Sequence, residues 1–364
     1  MRNRRGRVVE VDSTEELEQR LAAGATTLTG WHLQALDLTH HSADLRRVHV
    51  AGALFLGCTF ADGDEKSVRD RGGIVFPAVP DVPVETYRTA LYSPAELYGD
   101  LHGNGRYGAS LDARVYAWSR QPADAQHTLA RALHDHAIDE ALADWIHGRR
   151  LVGVMGAHAV ERDHPAYADA ARLGQLLAER HTVATGGGPG AMEAANLGAW
   201  LADRPVEAVA EAVALLAAVP SYRPSVGAWA ARAFEVRERW PDGGDSLGIP
   251  TWHYGHEPPN AFASAVAKYF QNATREAILL QVCDAGIVFL PGAGGTVQEI
   301  FQDGCENYYA DASAVAPMVL VGRRHWTEEV PAWPLLERLA RGRVMEGQVH
   351  LVDTAEEAAE IVGG

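Results

Sequence analysis

Two glycine-rich stretches decide the fold that this sequence predicts: TGGGPGAME at residues 185–193 and PGAGGTVQE at residues 291–299. Each stretch follows a short apolar run and precedes a segment with helical spacing. In an α/β protein, this order of strand, glycine loop and helix places backbone N–H groups and the positive end of a helix dipole against a phosphate. The two stretches therefore predict a phosphorylated ligand.

The sequence from residue 148 to residue 364 repeats the order of strand and helix. This alternation predicts an α/β domain with a Rossmann-like, doubly wound parallel sheet, in which ligands bind at the carboxyl ends of the strands. Segment 220–248 is expected to be irregular, as a lid or an oligomer contact. The predicted strands are residues 151–156, 182–185, 248–253, 286–290, 317–321 and 349–352, and the predicted helices include residues 167–179, 191–201 and 261–282.

Residues 1–147 have a different pattern and predict a smaller N-terminal accessory domain of mixed α+β or β-rich character. Ser13 and Glu16 form a capping-box pattern for a helix that ends near Leu21. The segments 33–38 and 50–55 suggest stacked five-residue turns. Residues 148–364 are then the nucleotide-binding catalytic domain.

Composition and charge narrow the function classes. The chain has 364 residues, 47% of them hydrophobic, and a formal net charge of −16. This charge argues against nucleic acid or an anionic membrane surface as the main partner, and no apolar run approaches the roughly 18 residues of a membrane span. Cys58, Cys283 and Cys305 are too widely spaced for a paired-ligand pattern. We therefore expect a cytoplasmic protein without disulfides or a metal site.

Glycine loops have a structural explanation as well, because tight turns and close packing also select glycine. A dinucleotide-binding fingerprint requires G-x-G-x-x-G after the first strand, which residues 153–159, GVMGAHA, do not fit. The P-loop pattern is absent too, because no lysine follows either glycine run. Two loops at one edge of the sheet, with Thr296 at a helix start, favour phosphate binding over the structural explanation.

The second stretch also carries a family resemblance. PGAGGTVQE is similar to the P-G-G-x-G-T-x-x-E signature of the LOG (LONELY GUY) family, the cytokinin riboside 5′-monophosphate phosphoribohydrolases, and Arg275 resembles the arginine of that family's M-H-x-R-K segment. The larger bacterial branch, the pyrimidine/purine nucleotide 5′-monophosphate nucleosidases, looks closer still through GPGAMEA at 188–194 and EPPN at 257–260. Ala293 departs from the pattern, because the signature has glycine there.

The resemblance implies hydrolysis of the N-glycosidic bond of a nucleoside 5′-monophosphate to free base and ribose 5-phosphate. It implies no organic cofactor and a homodimer or higher homo-oligomer. The implied catalytic residues are Arg275, Glu299 and Glu193. The predicted substrate-binding residues are Gly156, Ala157, His158, Gly187, Gly188, Gly190, Asn260, Gly292, Gly294, Gly295 and Thr296.

The chemistry of the pair Glu299 and Arg275 also follows from residue type. Cleavage of an N-glycosidic bond builds positive charge on the ribose, and a carboxylate beside the anomeric carbon stabilises that charge or directs water. Glu299 is placed for this role about one turn into the helix after the second loop. Arg275 either pairs with Glu299 and keeps it ionised or clamps the 5′-phosphate.

Two alternatives come from other function classes. One is a non-catalytic nucleotide sensor or carrier that keeps the fold and the loops. The other is the lysine decarboxylase label often given to this superfamily, whose pyridoxal phosphate chemistry needs a Schiff-base lysine; Lys66 and Lys268 are the only lysines in the chain. The sequence does not decide the preferred base, the use of cytokinin precursors or the presence of regulatory ligands.

Overall fold

The structure is a computed structural model, and it describes residues 9–99, 106–253 and 257–363. The chain divides into two compact units: Met1–Ala90 with Gln121–Ala141, and Leu91–Arg120 with Leu142–Gly364. The domain boundary between residues 147 and 148 stays a prediction. Each unit is described by itself.

The first unit alternates short parallel strands with helices. Four of its strands form one sheet in the order β1-β2-β4-β6, and β3 pairs with β5. Its strands are β1 (Val9–Val11), β2 (Trp31–Gln34), β3 (Asp37–Leu38), β4 (Leu54–Leu56), β5 (Thr59–Phe60) and β6 (Ile74–Phe76). Its helices are α1 (Thr14–Ala22), α2 (Ser42–Arg47) and α3 (Asp64–Asp70), and most of the later α6 (Ala125–Trp145) also belongs to this unit.

The strands of the first unit stack as a solenoid. Val11, Leu33, Phe55 and Val75 pair across all four strands and form one buried row. Successive partners are about 20 residues apart, a period typical of repeats that combine a strand with a helix. The hypothesis of five-residue turns is therefore wrong, because α1, α2 and α3 lie between the strands and lengthen each repeat.

The helix predicted from Ser13 and Glu16 is confirmed, with Ser13 as its N-cap. The Ser13 side chain accepts a hydrogen bond from the Glu16 backbone N–H at 3.2 Å, and the helix begins at Thr14. This bond satisfies one of the amides that a helix start leaves without an internal partner. Leu17 and Leu21 face the core of the first unit.

The second unit contains a parallel sheet of seven described strands in the order β10-β9-β8-β7-β11-β12-β13. These strands are β7 (Leu151–Met155), β8 (Thr182–Thr185), β9 (Ser246–Gly248), β10 (Ala265–Val266), β11 (Gly286–Phe289), β12 (Met318–Val321) and β13 (Val349–Val352). The helices of this unit are α4 (Pro94–Tyr98), α5 (Leu111–Ser119), α7 (Pro165–Ala178), α8 (Ala191–Trp200), α9 (Val206–Leu216), α10 (Val226–Arg239), α11 (Asn272–Gln281), α12 (Gly294–Tyr309), α13 (Trp333–Ala340) and α14 (Ala355–Gly363).

The strand order confirms the Rossmann-like α/β fold class. From β7 the chain builds the sheet outward through β8, β9 and β10, then returns to place β11 on the other side of β7. Central strand residues such as Val152, Val154 and Val288 are fully buried, as expected for a parallel sheet covered on both faces. The switch point between β7 and β11 is where open α/β sheets bind ligands.

Three element predictions in the second unit were wrong. The strand expected at 248–253 is instead β9, Ser246–Gly248, which ends where that prediction begins. The other two errors concern helices. The long helix expected at 261–282 is only α11, because the Asn260 side chain accepts the amides of Phe262 and Ala263 and the chain then forms β10. The segment expected to be irregular contains α10, which Ser225 caps by accepting the Ala228 amide at 3.2 Å. Sequence periodicity misses both features because they depend on side-chain hydrogen bonds.

Candidate active site

The two glycine loops meet at one cavity of the second unit. The first loop follows β8, the second follows β11, and both lie at the carboxyl edge beside the switch point. The cavity has a volume of about 350 Å³, which is in the range of small-molecule sites. It is lined by Gly156, His158, Gly186, Gly188, Met192, Pro250, Thr251, Glu257, Arg275, Glu276, Gly295, Thr296 and Glu299.

The first loop is tightly packed and strongly bent. Gly187 and Gly190 have positive φ angles of 70° and 76°, which residues with a Cβ rarely adopt. A Cβ on Gly190 would lie 2.5 Å from the carbonyl oxygens of both Ala157 and His158. Glycine is therefore required here for backbone shape and packing.

Asn260 supports this loop from beneath. Its side-chain amide donates to the Gly188 carbonyl at 3.3 Å and to Asn196 Oδ1 at 2.9 Å. Thr185 Oγ1 donates to the same Asn196 oxygen and accepts the Gly187 amide. Asn260 is fully buried and does not line the cavity, so the structure places it under the predicted phosphate loop.

The second loop is open around its helix start. Gly294 and Gly295 begin α12, no side chain caps the helix, and a Cβ on either glycine would meet no atom within 4 Å. Their amide groups, with that of Thr296, belong to the first turn, where N–H groups lack helical acceptors. This helix end therefore offers the anion-binding geometry that the sequence predicts.

Close packing fixes the base of the second loop. A Cβ on Gly292 would lie 2.1 Å from Thr296 Oγ1, and one on Gly156 would lie 2.5 Å from the Leu290 carbonyl oxygen. Ala293, the departure from the LOG signature, has a φ of −118°, which ordinary residues adopt without strain. The alanine therefore fits this loop backbone.

Glu299 and Arg275 converge on the cavity from different helices. Glu299 is half-buried on α12, and loss of hydration raises its pKa to about 7, with Glu276 raising it further and Arg275 opposing the shift. Arg275 is buried on α11 and donates from Nη2 to Asn272 Oδ1 at 2.9 Å and to Glu276 Oε1 at 3.2 Å. Its ion pair in the described structure is therefore with Glu276.

One donor of Arg275 remains available. Its Nε is buried, and within residues 9–99, 106–253 and 257–363 it has no hydrogen-bond partner. A buried guanidinium donor without a partner is unfavourable by about 1–3 kcal/mol or more. The Arg275 side chain also lines the cavity, beside Gly186 of the first loop.

Glu276 is a site residue that the sequence analysis missed. Its carboxylate accepts from Asn272 Nδ2 at 2.7 Å and from Gln298 Nε2 at 2.9 Å, in addition to Arg275. These bonds link α11 to α12 beside the cavity. The position of Glu276 next to Arg275 in the sequence could have identified it as a site residue. Its hydrogen bond with Gln298 on α12 could not be predicted from the sequence.

Glu193 lies in a different environment from Glu299. It is fully buried, and both of its carboxylate oxygens accept from Arg162, at 2.9 Å from Nε and 2.5 Å from Nη2. The Arg162 guanidinium also stacks 4.4 Å from the centre of the Trp229 ring. Glu193 lines a neighbouring cavity of about 360 Å³ rather than the one with Glu299.

His158 and Ala157 occupy the turn after β7. His158 is exposed and lines both the main cavity and its neighbour, as does Glu257. Ala157 has a positive φ of 53°, and its carbonyl accepts the Ala191 amide at 3.1 Å, which joins this turn to the start of α8. Glu257, Thr251, Pro250 and Met192 are further lining residues that the sequence analysis did not select.

Lys268 is committed to a buried network away from the cavity. Its Nζ donates to Asp112 Oδ1 at 2.6 Å, and the same carboxylate accepts from Trp252 Nε1 and the Tyr107 hydroxyl. Burial lowers the pKa of Lys268, and Asp112 opposes that shift. The other lysine, Lys66, pairs with Asp70 on an exposed helix of the first unit. Neither is placed for Schiff-base chemistry at the glycine loops.

Residues 9–99, 106–253 and 257–363 contain no group of three or more His, Cys, Asp or Glu side chains that could hold a metal ion. In the same ranges, no helix has the length and apolar character needed to cross a bilayer. The three cysteines are free thiols.

Comparison with known proteins relates part of this fold to a family. Residues 149–204 match the family model described as LDcluster4, SLOG cluster4 family. This segment runs from β7 through the first glycine loop to the end of α8, so the first half of the site lies within the matched residues. No curated protein matches the chain.

Solved structures with a similar fold include two proteins of molybdenum cofactor biology. One is the molybdenum cofactor binding protein from the phototrophic bacterium Rippkaea orientalis, with 19% identity over 59% of this chain and 96% of that chain and a TM-score of 0.37. The other is the molybdenum cofactor carrier protein from Chlamydomonas reinhardtii, with 17% identity over 59% of this chain and 97% of that chain and a TM-score of 0.38.

Proposed function

We propose that the second unit hydrolyses a nucleoside 5′-monophosphate to free base and ribose 5-phosphate. The observation that carries this proposal is the Glu299 carboxylate, whose pKa is raised to about 7, in one cavity with Arg275 and both glycine loops. The LOG-like motif at residues 291–299 gave the same expectation from sequence.

Phosphate binding is assigned to the start of α12. The amides of Gly294, Gly295 and Thr296 and the dipole of a 16-residue helix favour an anion at this end. Arg275, on the adjacent helix, lines the same cavity and brings a guanidinium whose charge is shared with Glu276.

The catalytic step is assigned to Glu299. It follows Thr296 by one helical turn, which is about 5 Å along the axis, so a ribose attached to the bound phosphate reaches it. The ionised carboxylate takes a proton from a water molecule while the oxygen of that water bonds to the anomeric carbon. The bond from this carbon to the base nitrogen breaks with its electron pair on the base, and the proton that Glu299 has taken neutralises the leaving base through solvent.

The remaining predicted residues take supporting roles in this proposal. Glu193 and Arg162 neutralise each other and form the wall of the neighbouring cavity, and Asn260 holds the first loop from beneath. A homodimer or higher homo-oligomer, a cytoplasmic location and an ordinary cellular nucleotide as substrate stay predictions.

The test is base release from AMP, GMP, IMP, CMP and UMP, followed by chromatography, with the wild-type protein and the Glu299→Gln variant. We expect the wild type to release a base and Glu299→Gln to lose about a thousandfold in rate. Glu306→Gln, an exposed glutamate later on α12, is the matched control and should keep wild-type activity. Nucleotide binding that raises the thermal unfolding midpoint without any base release would contradict hydrolysis and favour the carrier or sensor alternative.

A further inference from the structure

His325 contacts the second glycine loop from a neighbouring element. It begins a five-residue π-helix, His325–Glu329, shortly after β12. Its Nε2 lies 2.9 Å from the carbonyl oxygen of Gly292. Single π-helical turns are rare and occur frequently at functional sites. No motif in the sequence pointed to this histidine.

The second loop has few other attachments. Pro291, Ala293, Gly294 and Gly295 are exposed. Within the described ranges, the bond from His325 is the hydrogen bond that ties residues 291–293 to an element outside the loop and its own helix. An exposed loop held by one contact of this kind should be sensitive to the loss of that contact.

The histidine ring is itself fixed on two sides. Nδ1 lies 3.2 Å from Glu329 Oε2, and the ring packs edge-on against the buried Trp326 with the two centres 4.6 Å apart. A carbonyl oxygen only accepts hydrogen bonds, so Nε2 must carry a proton to bind Gly292. Glu329 is an acceptor too when ionised, and it is shared with Arg324, whose Nε is 3.3 Å away.

Movement of the Gly292 backbone would displace the amides that are proposed to bind phosphate. A Cβ on Gly292 would lie 2.1 Å from Thr296 Oγ1, so the loop backbone rests directly on the first turn of α12. We propose that His325 is a positioning residue for the phosphate site: by donating to the Gly292 carbonyl, it holds the amides of Gly294, Gly295 and Thr296 in the orientation that binds the 5′-phosphate. This inference rests on the proposed function.

The test compares two substitutions at one position. His325→Leu removes the donor and keeps an apolar side chain against Trp326, whereas His325→Gln supplies an amide N–H in place of Nε2–H. Calorimetry would measure the dissociation constant of ribose 5-phosphate, and kinetics would measure KM and kcat for a nucleotide that is cleaved. His350→Leu, a half-buried histidine on β13 that lines neither the main cavity nor its neighbour, is the matched control.

We expect His325→Leu to raise both the dissociation constant and KM about tenfold with kcat nearly unchanged, because the contact affects binding in the ground state and the transition state equally. His325→Gln should stay within about threefold of the wild type. Equal binding by wild type and His325→Leu would overturn the inference. So would an equal loss in both variants with a lowered thermal midpoint, since that pattern indicates a structural role alone.

The two proposals fail in different ways. If ribose 5-phosphate binds and the two variants differ as expected but no base is released, hydrolysis is wrong and the role of His325 stands. If base is released and His325→Leu binds normally, only the role of His325 is wrong. A wild-type protein that neither binds ribose 5-phosphate nor releases base would overturn both.

Discussion

The two glycine loops of the second unit look alike in sequence and differ in structure. The first is packed from below, with Asn260, Asn196 and Thr185 hydrogen-bonded under it and positive φ angles at Gly187 and Gly190. The second is exposed, and open space surrounds Gly294 and Gly295. Glycine in the first loop allows a backbone shape, whereas glycine in the second leaves room for a ligand.

This difference gives the two loops different roles in the site. The packed loop shapes the wall of the cavity, and the open loop, with Arg275 and Glu299 beside it, carries the groups that would touch the ligand. Substitutions in the packed loop should therefore affect folding, and substitutions around the open loop should affect binding and rate.

The largest effect on activity besides that of Glu299 is expected at Arg275. Arg275→Gln removes the guanidinium proposed to lie beside the phosphate and should lower kcat/KM by about a hundredfold. It also removes the positive charge that lowers the pKa of Glu299, so the activity profile should move to higher pH. Arg239→Gln, an exposed arginine on α10, is the control for charge removal. Steady-state kinetics across pH would check both effects, and wild-type kcat/KM in Arg275→Gln would argue against a ligand contact.

The next prediction compares the effects of one glycine-to-alanine substitution in each loop. Gly190→Ala forces a Cβ to within 2.5 Å of two carbonyl oxygens at a positive φ and should destabilise folding by about 2–4 kcal/mol. Gly295→Ala meets no atom within 4 Å and should leave stability unchanged or raise it by up to about 1 kcal/mol, because alanine favours helices.

For ligand affinity, Gly295→Ala should have a larger effect than Gly190→Ala. Gly295→Ala places a methyl group in the cavity and should weaken ribose 5-phosphate binding about tenfold. Denaturant unfolding and calorimetry on both variants would measure the two quantities. Equal loss of stability in the two variants would remove the distinction between the loops.

The smallest effect concerns the pH dependence of the proposed activity. In the proposed mechanism the ionised form of Glu299 is the base, so kcat/KM should rise with pH through about 7, the pKa to which burial and Glu276 raise this carboxyl. Glu276→Gln removes a negative charge that favours the protonated form of Glu299. The rising limb of the pH profile should therefore move to lower pH by a fraction of a unit. Glu306→Gln should leave the limb in place. A limb that does not move in Glu276→Gln would show that Glu276 does not tune Glu299.

Much of the second unit could be predicted from its sequence. Buried strands such as β7 and β11 are short apolar runs, and the loops after β8 and β11 are marked by glycine. Parallel strands bring their carboxyl ends to one edge, so the meeting of Glu299, Arg275 and both loops follows from topology. These features depend on local pattern and on a general rule of the fold.

The missed features depend on partners that are distant in sequence. Arg162 and Glu193 form a buried pair across 31 residues, and His325 reaches Gly292 across 33. The solenoid of the first unit was hidden because its strands are only two to four residues long and the helices between them set the period. Only tertiary structure shows these contacts.

The most direct test of the proposed function is a crystal structure of the wild-type protein with ribose 5-phosphate. We predict the phosphate at the amides of Gly294, Gly295 and Thr296, beside the Arg275 guanidinium, with the anomeric carbon facing the Glu299 carboxylate. A phosphate held by the first loop at Gly187 to Gly190, or a ribose whose anomeric carbon lies away from Glu299, would contradict it.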